Sequence, residues 1–318
     1  MALEQPAAAF KKPSEPSEPS EKPDGSRVIT DREFALFQNL IHREGGIYLS
    51  DAKRELLVRR LGGRVRELGL SCFAAYYRRV TKGDDPQEKI RMLNCISTNE
   101  THFFREPKQF EFLENILLPQ WKLEADAEKR PRRIRAWSSA CSTGQEPYSL
   151  AMIFAHHLPS GCGWEIDILA TDISTQVLAQ AKRGTYPIEK VREIPERFLK
   201  PFMLRGKGDQ LGKIRVHRKI RSVVRFERLN LSLESYPVAR DFDLIFCRNV
   251  LIYFDAAGKA AVVNRLLDHL APGGYLFVGH AESLSNLSDR VKSVVPTVYQ
   301  PIPPGRREAS STLQPAVV

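Results

Sequence analysis

The stretch IRAWSSACSTGQEPYSLAMIFAHHL, residues 134–158, decides the fold of this chain. IRAWSS is typical of a buried strand, and EPYSLAMIFAHHL predicts a helix whose first residue is Pro147, with Glu146 at the cap. A short turn of sequence STG precedes the helix. A strand that leads through such a turn into a helix is the unit at which a doubly wound α/β domain binds a nucleotide.

Strand-like and helix-like segments alternate after this unit. EIDILATD, DFDLIFCRN and GGYLFVGH predict strands, STQVLAQAKRG and AAGKAAVVNRLLDHL predict helices, and TVYQPI closes the series. Alternation of this kind predicts a parallel sheet with helices on both faces. Such sheets bind their ligands beyond the carboxyl ends of the strands, at the point where the strand order reverses.

One insertion, between Gly184 and Asn230, interrupts the alternation. It is too long for an ordinary connection between a helix and a strand. Short β-like runs near a glycine-marked turn predict a small β subdomain over about residues 186–228, whose last strand returns to the main sheet. We expect the whole ligand-binding domain to span residues 134–302.

Residues 27–96 predict a small all-helical domain. Thr30 and Glu33 fit a capping box at its start. Arg59 and Arg66, seven residues apart on a basic helix, point away from its apolar stripe. They form either a binding face for an acidic partner or a solvated helix face.

The remaining segments connect or flank these domains. Residues 97–133 are expected to form a linker and a connecting helix, whose first residue is expected to be Pro107. The head at residues 1–26, which contains PSEPSEPSEKP, and the tail at residues 303–318 are expected to be disordered, because such compositions bury little apolar surface.

The composition limits the partners and the compartment. The 318 residues carry a net charge of +10, with a sequence pI of about 9.4, which indicates either an acidic partner or a solvated basic surface. The five cysteines include no Cys-x-x-Cys pair, so a disulfide framework and a metal site are not expected. No apolar run approaches the roughly 20 residues that span a bilayer, and the start does not resemble a secretory signal. We expect a cytoplasmic, soluble protein without membrane insertion.

The turn before the helix favours a nucleoside without phosphate. It matches neither the G-x-G-x-x-G pattern nor a P-loop, and Glu146 would repel a phosphate at the helix start. Asp172 ends the second strand, where a carboxylate can accept both hydroxyls of a ribose. Taken singly, Glu146 could be a capping acid and Asp172 the cap of the next helix. Together they predict S-adenosylmethionine, a nucleoside that bears a cation, in preference to NAD or ATP.

Five motifs, in order along the chain, resemble the CheR-type chemotaxis receptor methyltransferases: STNETHFFRE, STGQEPYSLA, ATDIS, FDLIFCRNVLIYFD and GHAES. The resemblance covers about residues 30–302. It implies a Rossmann-like, class I S-adenosylmethionine-dependent methyltransferase domain with an inserted antiparallel β subdomain, preceded by a helical domain. It also implies methyl transfer to glutamate side chains of methyl-accepting chemotaxis receptors, giving the methyl esters of sensory adaptation.

The resemblance also implies the residues of the cofactor site. Glu146 is expected to hold the methionine amino group and Asp172 the ribose. The linker is expected to fold back over the cofactor, with Phe103 and Phe104 as its core anchors. The other cofactor-binding residues are expected to be Asn99, Thr101 and Arg105 in the linker, Asn230 and Leu231 by the adenine, and Asn249 and Val250.

Two residues are candidates for acting on the methyl acceptor. Arg105 is expected to orient the incoming carboxylate, because its guanidinium fork matches that shape. Tyr253 either lines the path of the methyl group or is an ordinary core tyrosine. A glutamate side chain is ionised at pH 7, so no general base is required, and His280 is interpreted as structural.

The expected partners are the cytoplasmic helices of the receptor, which would contact Arg59 and Arg66. Some members of the family tether a peptide from the receptor's carboxyl end on the β subdomain, and this mode stays open for the present chain. We expect a monomer that acts at receptor arrays in the cytoplasm and binds no nucleic acid.

Two other classes of function compete with this interpretation. A nucleic-acid methyltransferase would suit the basic charge, but CRNVLIYF is not the Asn/Asp-Pro-Pro-aromatic motif of amino-group methylases, and no Pro-Cys nucleophile is present. A protein that only docks on receptors would not need Glu146, Asp172 and Asn249.

Overall fold

The computed structural model describes residues 29–83, 85–284 and 287–302. The head at 1–26 and the tail at 303–318, for which the sequence predicts disorder, lie outside the described residues. None of the helices in the described ranges is long and apolar enough to cross a membrane.

Four helices form the amino-terminal domain: α1 (Asp31–Gly45), α2 (Arg54–Glu67), α3 (Phe73–Lys82) and α4 (Pro86–Ile96). The predicted capping box is present at α1. The Thr30 hydroxyl accepts the Glu33 amide at 3.2 Å, and the Thr30 amide donates to the Glu33 carboxylate at 2.9 Å. The apolar faces of the helices meet around the fully buried Phe37 and Tyr76, whose stacked ring centroids are 6.0 Å apart.

A helical connector leads from this domain to the sheet. It begins at Pro107, as the sequence predicts, and consists of α5 (Pro107–Phe112), a π-helical turn (Leu113–Leu117) and α6 (Leu118–Asp126). Its buried face packs into the apolar cluster on one face of the large domain.

The large domain is built on a seven-stranded sheet. Its strands are β1 (Arg133–Ser138), β2 (Glu165–Asp172), β6 (Val224–Arg228), β7 (Phe242–Cys247), β8 (Leu270–Val278), β9 (Val291–Val295) and β10 (Val298–Pro301). They lie in the order β6-β2-β1-β7-β8-β10-β9. The first five in this order pair in parallel, whereas β10 is antiparallel to β8 and β9. The sheet is therefore mixed at one edge, because a tight turn joins β9 to β10 and such a hairpin pairs antiparallel.

Helices cover both faces of this sheet, as the sequence predicts. They are α7 (Gln145–His157), α8 (Thr175–Arg183) and α11 (Ala256–Leu267). The start of α7 differs from the prediction by two residues. Gly144, at φ 95°, is the N-cap, so Glu146 and Pro147 lie inside the first turn. Glycine adopts this left-handed conformation without strain, and a Cβ at Gly144 would lie only 2.9 Å from the Cβ of Ala181.

The insertion forms a separate three-stranded antiparallel sheet. Its strands are β3 (Thr185–Pro187), β4 (Met203–Arg205) and β5 (Lys213–Val216), in the order β3-β5-β4, so β3 and β4 are its edges. Two short helices, α9 (Glu196–Phe202) and α10 (Arg218–Arg221), accompany it. The chain then returns to the large sheet through β6, which pairs in parallel with β2.

The helical domain packs against the side of the large sheet at which its parallel strands end. Gly46, at φ 69°, caps the end of α1, and a Cβ there would lie 2.6 Å from the ring of Phe254. The Tyr48 amide donates to the Tyr253 carbonyl at 2.7 Å. These contacts place the end of α1 beside the strand ends where the sequence predicts the ligand.

Candidate active site

A cleft lies where the strand order reverses. From β1 the chain proceeds outward through β2 to β6, and then returns to the other side of β1 as β7. Residues at the carboxyl ends of β1, β2 and β7 line the cleft together with residues 96–101 of the linker and the end of α1. The cleft encloses ≈ 950 Å³ of space, its open mouth included, which suits a ligand the size of a nucleoside.

Every residue that the sequence analysis assigns to the cofactor or the acceptor lines this cleft. They are Asn99, Thr101 and Arg105 in the linker, Glu146 in α7, Asp172, Asn230 and Leu231 at or beyond the ends of β2 and β6, and Asn249, Val250 and Tyr253 beyond β7. Arg59 and Arg66 lie elsewhere, exposed on α2. The cleft and the outer face of α2 are therefore two distinct surfaces.

Asp172 is the last residue of β2 and is 8% exposed. Its Oδ1 accepts the Ser174 amide and its Oδ2 the Ser142 amide, both at 2.9 Å. A carboxylate has about four acceptor positions, so both oxygens keep capacity toward the cleft. Burial raises the pKa of Asp172. The alternative that Asp172 caps α8 is wrong, because the hydroxyl of Ser174 accepts the Val177 amide in that position.

Three backbone amides of the turn before α7, those of Cys141, Ser142 and Gly144, are already bonded. The Cys141 amide donates to the Thr171 carbonyl at 2.8 Å, and the Gly144 amide donates to the Cys141 carbonyl at 2.9 Å. The Ser142 amide donates to Asp172. Because a phosphate needs free amides at a helix start, this turn suits a nucleoside without phosphate, as S-adenosylmethionine is.

Glu146 lies in the first turn of α7 and is largely buried beside the cleft. Its Oε1 accepts the Ser138 hydroxyl at 2.7 Å, and its Oε2 accepts Nη1 of Arg248 at 3.0 Å. Burial raises the pKa of Glu146, and Arg248 offsets part of that rise. A buried carboxylate that faces a cleft in this way is suited to binding a cation.

Arg248 follows β7 and connects three parts of the site. Its side chain is 1% exposed, and its Nη2 lies 3.1 Å from Oε2 of Glu106. The same nitrogen donates to the carbonyl of Arg105. The guanidinium also lies over the Phe110 ring, 5.6 Å from its centroid. Through these contacts Arg248 joins the linker to both β7 and α7.

Backbone strain is concentrated around the cleft. Four non-glycine residues here have left-handed conformations: Phe104 (φ 51°), Glu106 (φ 60°), Ser142 (φ 48°) and Asn249 (φ 56°). Each costs of order 1 kcal/mol or more and persists only where surrounding contacts enforce it. The Asn249 amide, for example, donates to the Glu282 carboxylate at 2.8 Å.

Phe103 and Phe104 hold the linker down, as the sequence predicts. Phe103 is 1% exposed and packs edge-on against Tyr186, with ring centroids 5.1 Å apart. Phe104 stacks on Phe198, also at 5.1 Å. Both partners belong to the insertion, so the small subdomain braces the segment that closes the cleft.

The amino-terminal half of the linker is fixed by polar contacts. Arg60 on α2 donates to the Ile96 carbonyl and, at 2.9 Å, to the Thr98 hydroxyl. The Ser142 hydroxyl donates to the Asn99 carbonyl at 2.9 Å. The linker is therefore attached to both domains.

Asn230 and Tyr253 reach the cleft in different ways. Asn230 donates through Nδ2 to the Glu44 carbonyl at 2.8 Å, and its Oδ1 accepts the Ser232 amide at 2.9 Å. Its side chain therefore joins the two domains while lining the cleft. Tyr253 is half-buried in the cleft wall, with Nζ of Lys53 5.9 Å from its ring centroid. The alternative that Tyr253 is an ordinary core tyrosine is wrong.

Four residues of the site, Arg248, Glu106, Ser138 and Ser142, were not predicted from the sequence. A signal for two of them was present. Arg248 directly follows the apolar strand FDLIFC, at the carboxyl end where ligands bind. Glu106 directly follows Arg105, which was expected to be a site residue, and its negative charge is opposite to that of Arg248.

Comparisons with known proteins agree with this geometry. The family model described as CheR methyltransferase, all-alpha domain, matches residues 32–97, and the model described as CheR methyltransferase, SAM binding domain, matches residues 99–299.

Curated relatives match over most of their length. The chain is 38% identical over 272 residues to Chemotaxis protein methyltransferase 2 of Pseudomonas aeruginosa, which covers 86% of this chain and 94% of the relative. It is 37% identical over 273 residues to Chemotaxis protein methyltransferase of Escherichia coli, covering 86% and 91%. It is 34% identical over 273 residues to the protein of that name from Borreliella burgdorferi, covering 86% and 95%. These matches confirm the resemblance and S-adenosylmethionine as the cofactor. The chain therefore belongs to the CheR family, and it is an S-adenosylmethionine-dependent methyltransferase.

Proposed function

We propose that this enzyme methylates glutamate side chains of methyl-accepting chemotaxis receptors, giving glutamyl methyl esters in sensory adaptation. The observation that carries the proposal is the meeting, in one cleft, of Asp172, Glu146 and the linker that bears Arg105. The two carboxylates suit a nucleoside cation, and the arginine suits a carboxylate acceptor. The curated relatives, whose names are those of chemotaxis methyltransferases, support the same process.

Individual residues are assigned by this geometry and by the family resemblance. Asp172 accepts the ribose hydroxyls with the lone pairs that its two amide partners leave free. Glu146 holds the methionine ammonium group. S-adenosylmethionine, when bound, supplies the methyl group on its sulfonium sulfur. The remaining cofactor contacts are assigned to Asn230 and Leu231 beside the adenine, and to Asn99, Thr101, Arg105, Asn249 and Val250 around the rest of the molecule.

The acceptor needs little activation. A glutamate side chain has a pKa near 4.3 and is already ionised at pH 7, so the protein has only to desolvate and align it. Arg105 donates one N–H to the Glu100 carbonyl at 3.1 Å, and its other N–H groups remain for the incoming carboxylate. Tyr253, in the same cleft lining, is assigned to the path of the methyl group.

The receptor is proposed to meet the enzyme on two basic surfaces outside the cleft. Arg59 and Arg66 are exposed on α2, where they would contact acidic receptor helices. The edges of the small sheet, β3 and β4, could each add an extended peptide through backbone hydrogen bonds, and Leu204 on β4 is 48% exposed. We propose that a peptide from the receptor's carboxyl end binds to one of these two edges.

The division of the chain follows these roles. We assign receptor contact to the helical domain at 27–96, closure of the cleft over the cofactor to the linker and connecting helix at 97–133, and catalysis to residues 134–302, with the β subdomain at about 186–228 as the tether. We further propose that the enzyme works as a monomer in the cytoplasm at receptor arrays.

The assignment of Asp172 is tested by calorimetry of S-adenosylmethionine binding. Asp172→Ala should weaken binding by roughly 1.5–3 kcal/mol, the range for loss of a charged hydrogen-bonding partner. Asp167→Ala is the matched control, because Asp167 lies on the same strand but pairs with Arg225 and Arg135 outside the cleft.

Asp172 also anchors two amides, so a second variant separates binding from folding. Asp172→Asn keeps the side-chain volume and one carbonyl acceptor, and it should weaken binding less than Asp172→Ala. Unchanged affinity in both folded variants would show that the ribose lies elsewhere.

A further inference from the structure

We propose that Arg248 is a positioning residue for methyl transfer: by bridging Glu106 and Glu146, it keeps Glu146 negatively charged toward the cofactor and holds the linker closed over the cleft. This inference rests on the proposed role of Glu146 as the carboxylate that holds the methionine ammonium group. Arg248 acts through these neighbours and needs no contact with the reacting atoms.

The geometry of Arg248 is that of a clamp. One terminal nitrogen, Nη1, lies 3.0 Å from Oε2 of Glu146, and the other, Nη2, lies 3.1 Å from Oε2 of Glu106. Nη2 also donates to the backbone carbonyl of Arg105. Within the described part of the chain, neither Nε of Arg248 nor Oε2 of Glu106 has a hydrogen-bond partner, so Arg248 meets Glu106 as an ion pair. The hydrogen bonds of the fork go to Glu146 and to the Arg105 carbonyl.

Arg248 holds the linker at its last residue. Glu106 is the N-cap of α5 and has a left-handed backbone at φ 60°. Its carboxylate also accepts the His280 amide at 3.2 Å and the Asn249 side chain at 3.4 Å. The Nε2 of His280, whose side chain is 60% exposed, lies 3.9 Å from Glu106. The end of the linker is thus fixed by contacts that all converge on one carboxylate.

The charged groups that face Glu146 are Arg248 and Glu106. The thiols of Cys141 and Cys247 lie in the same neighbourhood, and burial raises the pKa of both, so they remain neutral. Arg248 is therefore the positive charge between two buried carboxylates. Without it, two like charges would face each other out of water, and one would take up a proton.

The two carboxylates respond differently to the clamp. Burial opposes ionisation of Glu106, but Arg248 and the His280 amide bring its pKa below the ordinary value. Burial raises the pKa of Glu146 despite Arg248. Without the guanidinium, Glu146 is therefore the first of the two carboxylates to take up a proton as the pH falls. A protonated Glu146 cannot hold an ammonium group as an ion pair. Cofactor affinity should then fall more steeply in a variant without the guanidinium than in the wild type as the pH falls.

The test compares Arg248→Met with the wild type by measuring the dissociation constant of S-adenosylmethionine at several values between about pH 6 and 8.5. The ratio of the two constants at each pH cancels the titration of the cofactor itself. We expect a ratio of about tenfold or more at the acidic end, declining as the pH rises. A ratio that stays constant across the range would mean that Arg248 is merely structural and would overturn the proposal.

A rescue variant sharpens this result. Glu106→Gln in the Arg248→Met background removes the competing negative charge while preserving side-chain shape. The double variant should bind the cofactor more tightly than Arg248→Met, with most of the gain at acidic pH. No gain at any pH contradicts the proposal.

Two further variants guard the interpretation. Arg248→Lys retains the charge but not the fork, so it should keep the wild-type pH profile while kcat falls more than KM rises. If Arg248→Met does not fold, a pH-dependent affinity ratio in Arg248→Lys would count against the proposal.

Glu146→Gln tests the underlying assignment: normal affinity in that variant would refute the role of Glu146, whereas weak binding with a constant Arg248→Met ratio would refute only the role of Arg248.

Discussion

Two basic regions of the chain, α2 with its preceding turn and the insertion, use their charges differently. Six lysines and arginines lie between residues 51 and 70, but half of them bind other parts of the protein. Arg54 pairs with Asp31 at 2.7 Å, and Arg64 pairs with the fully buried Glu88 at 2.6 Å. Arg60 donates to the linker.

The insertion has the opposite character. Residues 185–221 contain eleven lysines and arginines against four aspartates and glutamates, an excess of seven in a chain whose net charge is +10. Within the described residues only Lys190 and Arg197 of this set pair with a carboxylate. Lys213 and Arg215 are exposed on the central strand β5.

A count of basic residues therefore does not identify the charges that a partner meets. Half of the basic residues in α2 and its preceding turn bind other parts of the protein, whereas Arg59 and Arg66 are exposed for contact. Of the two regions, the insertion has more basic residues that pair with no carboxylate in the described part of the chain. We therefore expect it to dominate long-range attraction of an acidic receptor, and α2 to act at close range.

The largest expected effect concerns stability. Glu88→Ala should lower the free energy of unfolding by about 3–5 kcal/mol, because it removes a fully buried carboxylate and leaves the buried Arg64 only the exposed Glu67 as a partner. The Glu88 carboxylate also accepts the Tyr76 hydroxyl at 3.0 Å and Arg91 at 3.2 Å. Arg66→Ala should change the same quantity by less than about 0.5 kcal/mol. Urea denaturation measures the free energy of unfolding of both variants. Equal losses would show that the paired Arg64 and the exposed Arg66 contribute equally to stability, which contradicts the comparison.

The second effect concerns attraction of the receptor by the insertion. Lys213→Glu with Arg215→Glu should raise KM for a complete receptor about threefold or more at low salt, and less at high salt. Lys129→Glu with Lys292→Glu is a control that makes the same change in net charge at exposed positions outside the insertion. If the control raises KM equally, total charge matters and the insertion has no special part.

A smaller effect is expected from the outer face of α2. Arg59→Glu with Arg66→Glu should raise KM for a receptor fragment that lacks its carboxyl-terminal tail, most strongly at low salt. Deleting the tail should preserve this effect and remove only the tether, whose contribution is effective concentration. An unaltered KM at low salt would show that this face of α2 is solvated and does not contact the receptor.

The smallest expected effect is that of pH. Lysine and arginine charges in both regions are constant near neutrality, and the acceptor glutamate is already ionised. Single-turnover methyl transfer at saturating cofactor should therefore vary little between about pH 6.5 and 8. The side chain of His280 is 60% exposed and lies 3.9 Å from Glu106, and His280→Ala should leave the profile unchanged. A steep rise that disappears in His280→Ala would reveal a general base.

Local patterns predicted much of this molecule. The capping box at Thr30, the helix start at Pro107 and the anchoring of Phe103 and Phe104 all follow from residues close together in sequence. The placement of Glu146 and Asp172 at the cleft followed from their positions at a helix start and a strand end, whereas the other cofactor residues were expected from the family resemblance.

Long-range pairing was harder to predict. No local pattern tells that Arg64 meets Glu88, or that Arg248 meets both Glu106 and Glu146, because these partners come together only when separate elements pack. The same limit applies to β9, which pairs with β10 at the antiparallel edge. Its sequence VKSVV is short and largely exposed, so it lacks the apolar run of a buried strand.

The most direct test of glutamate methylation is the chemical stability of the transferred methyl group. Purified enzyme would be incubated with methyl-tritiated S-adenosylmethionine and membranes that contain receptors, with the Asp172→Ala variant as control. The account predicts label on the receptor that mild base releases as volatile methanol, as a carboxyl ester requires. Label that withstands base, or that appears on nucleic acid, would contradict it.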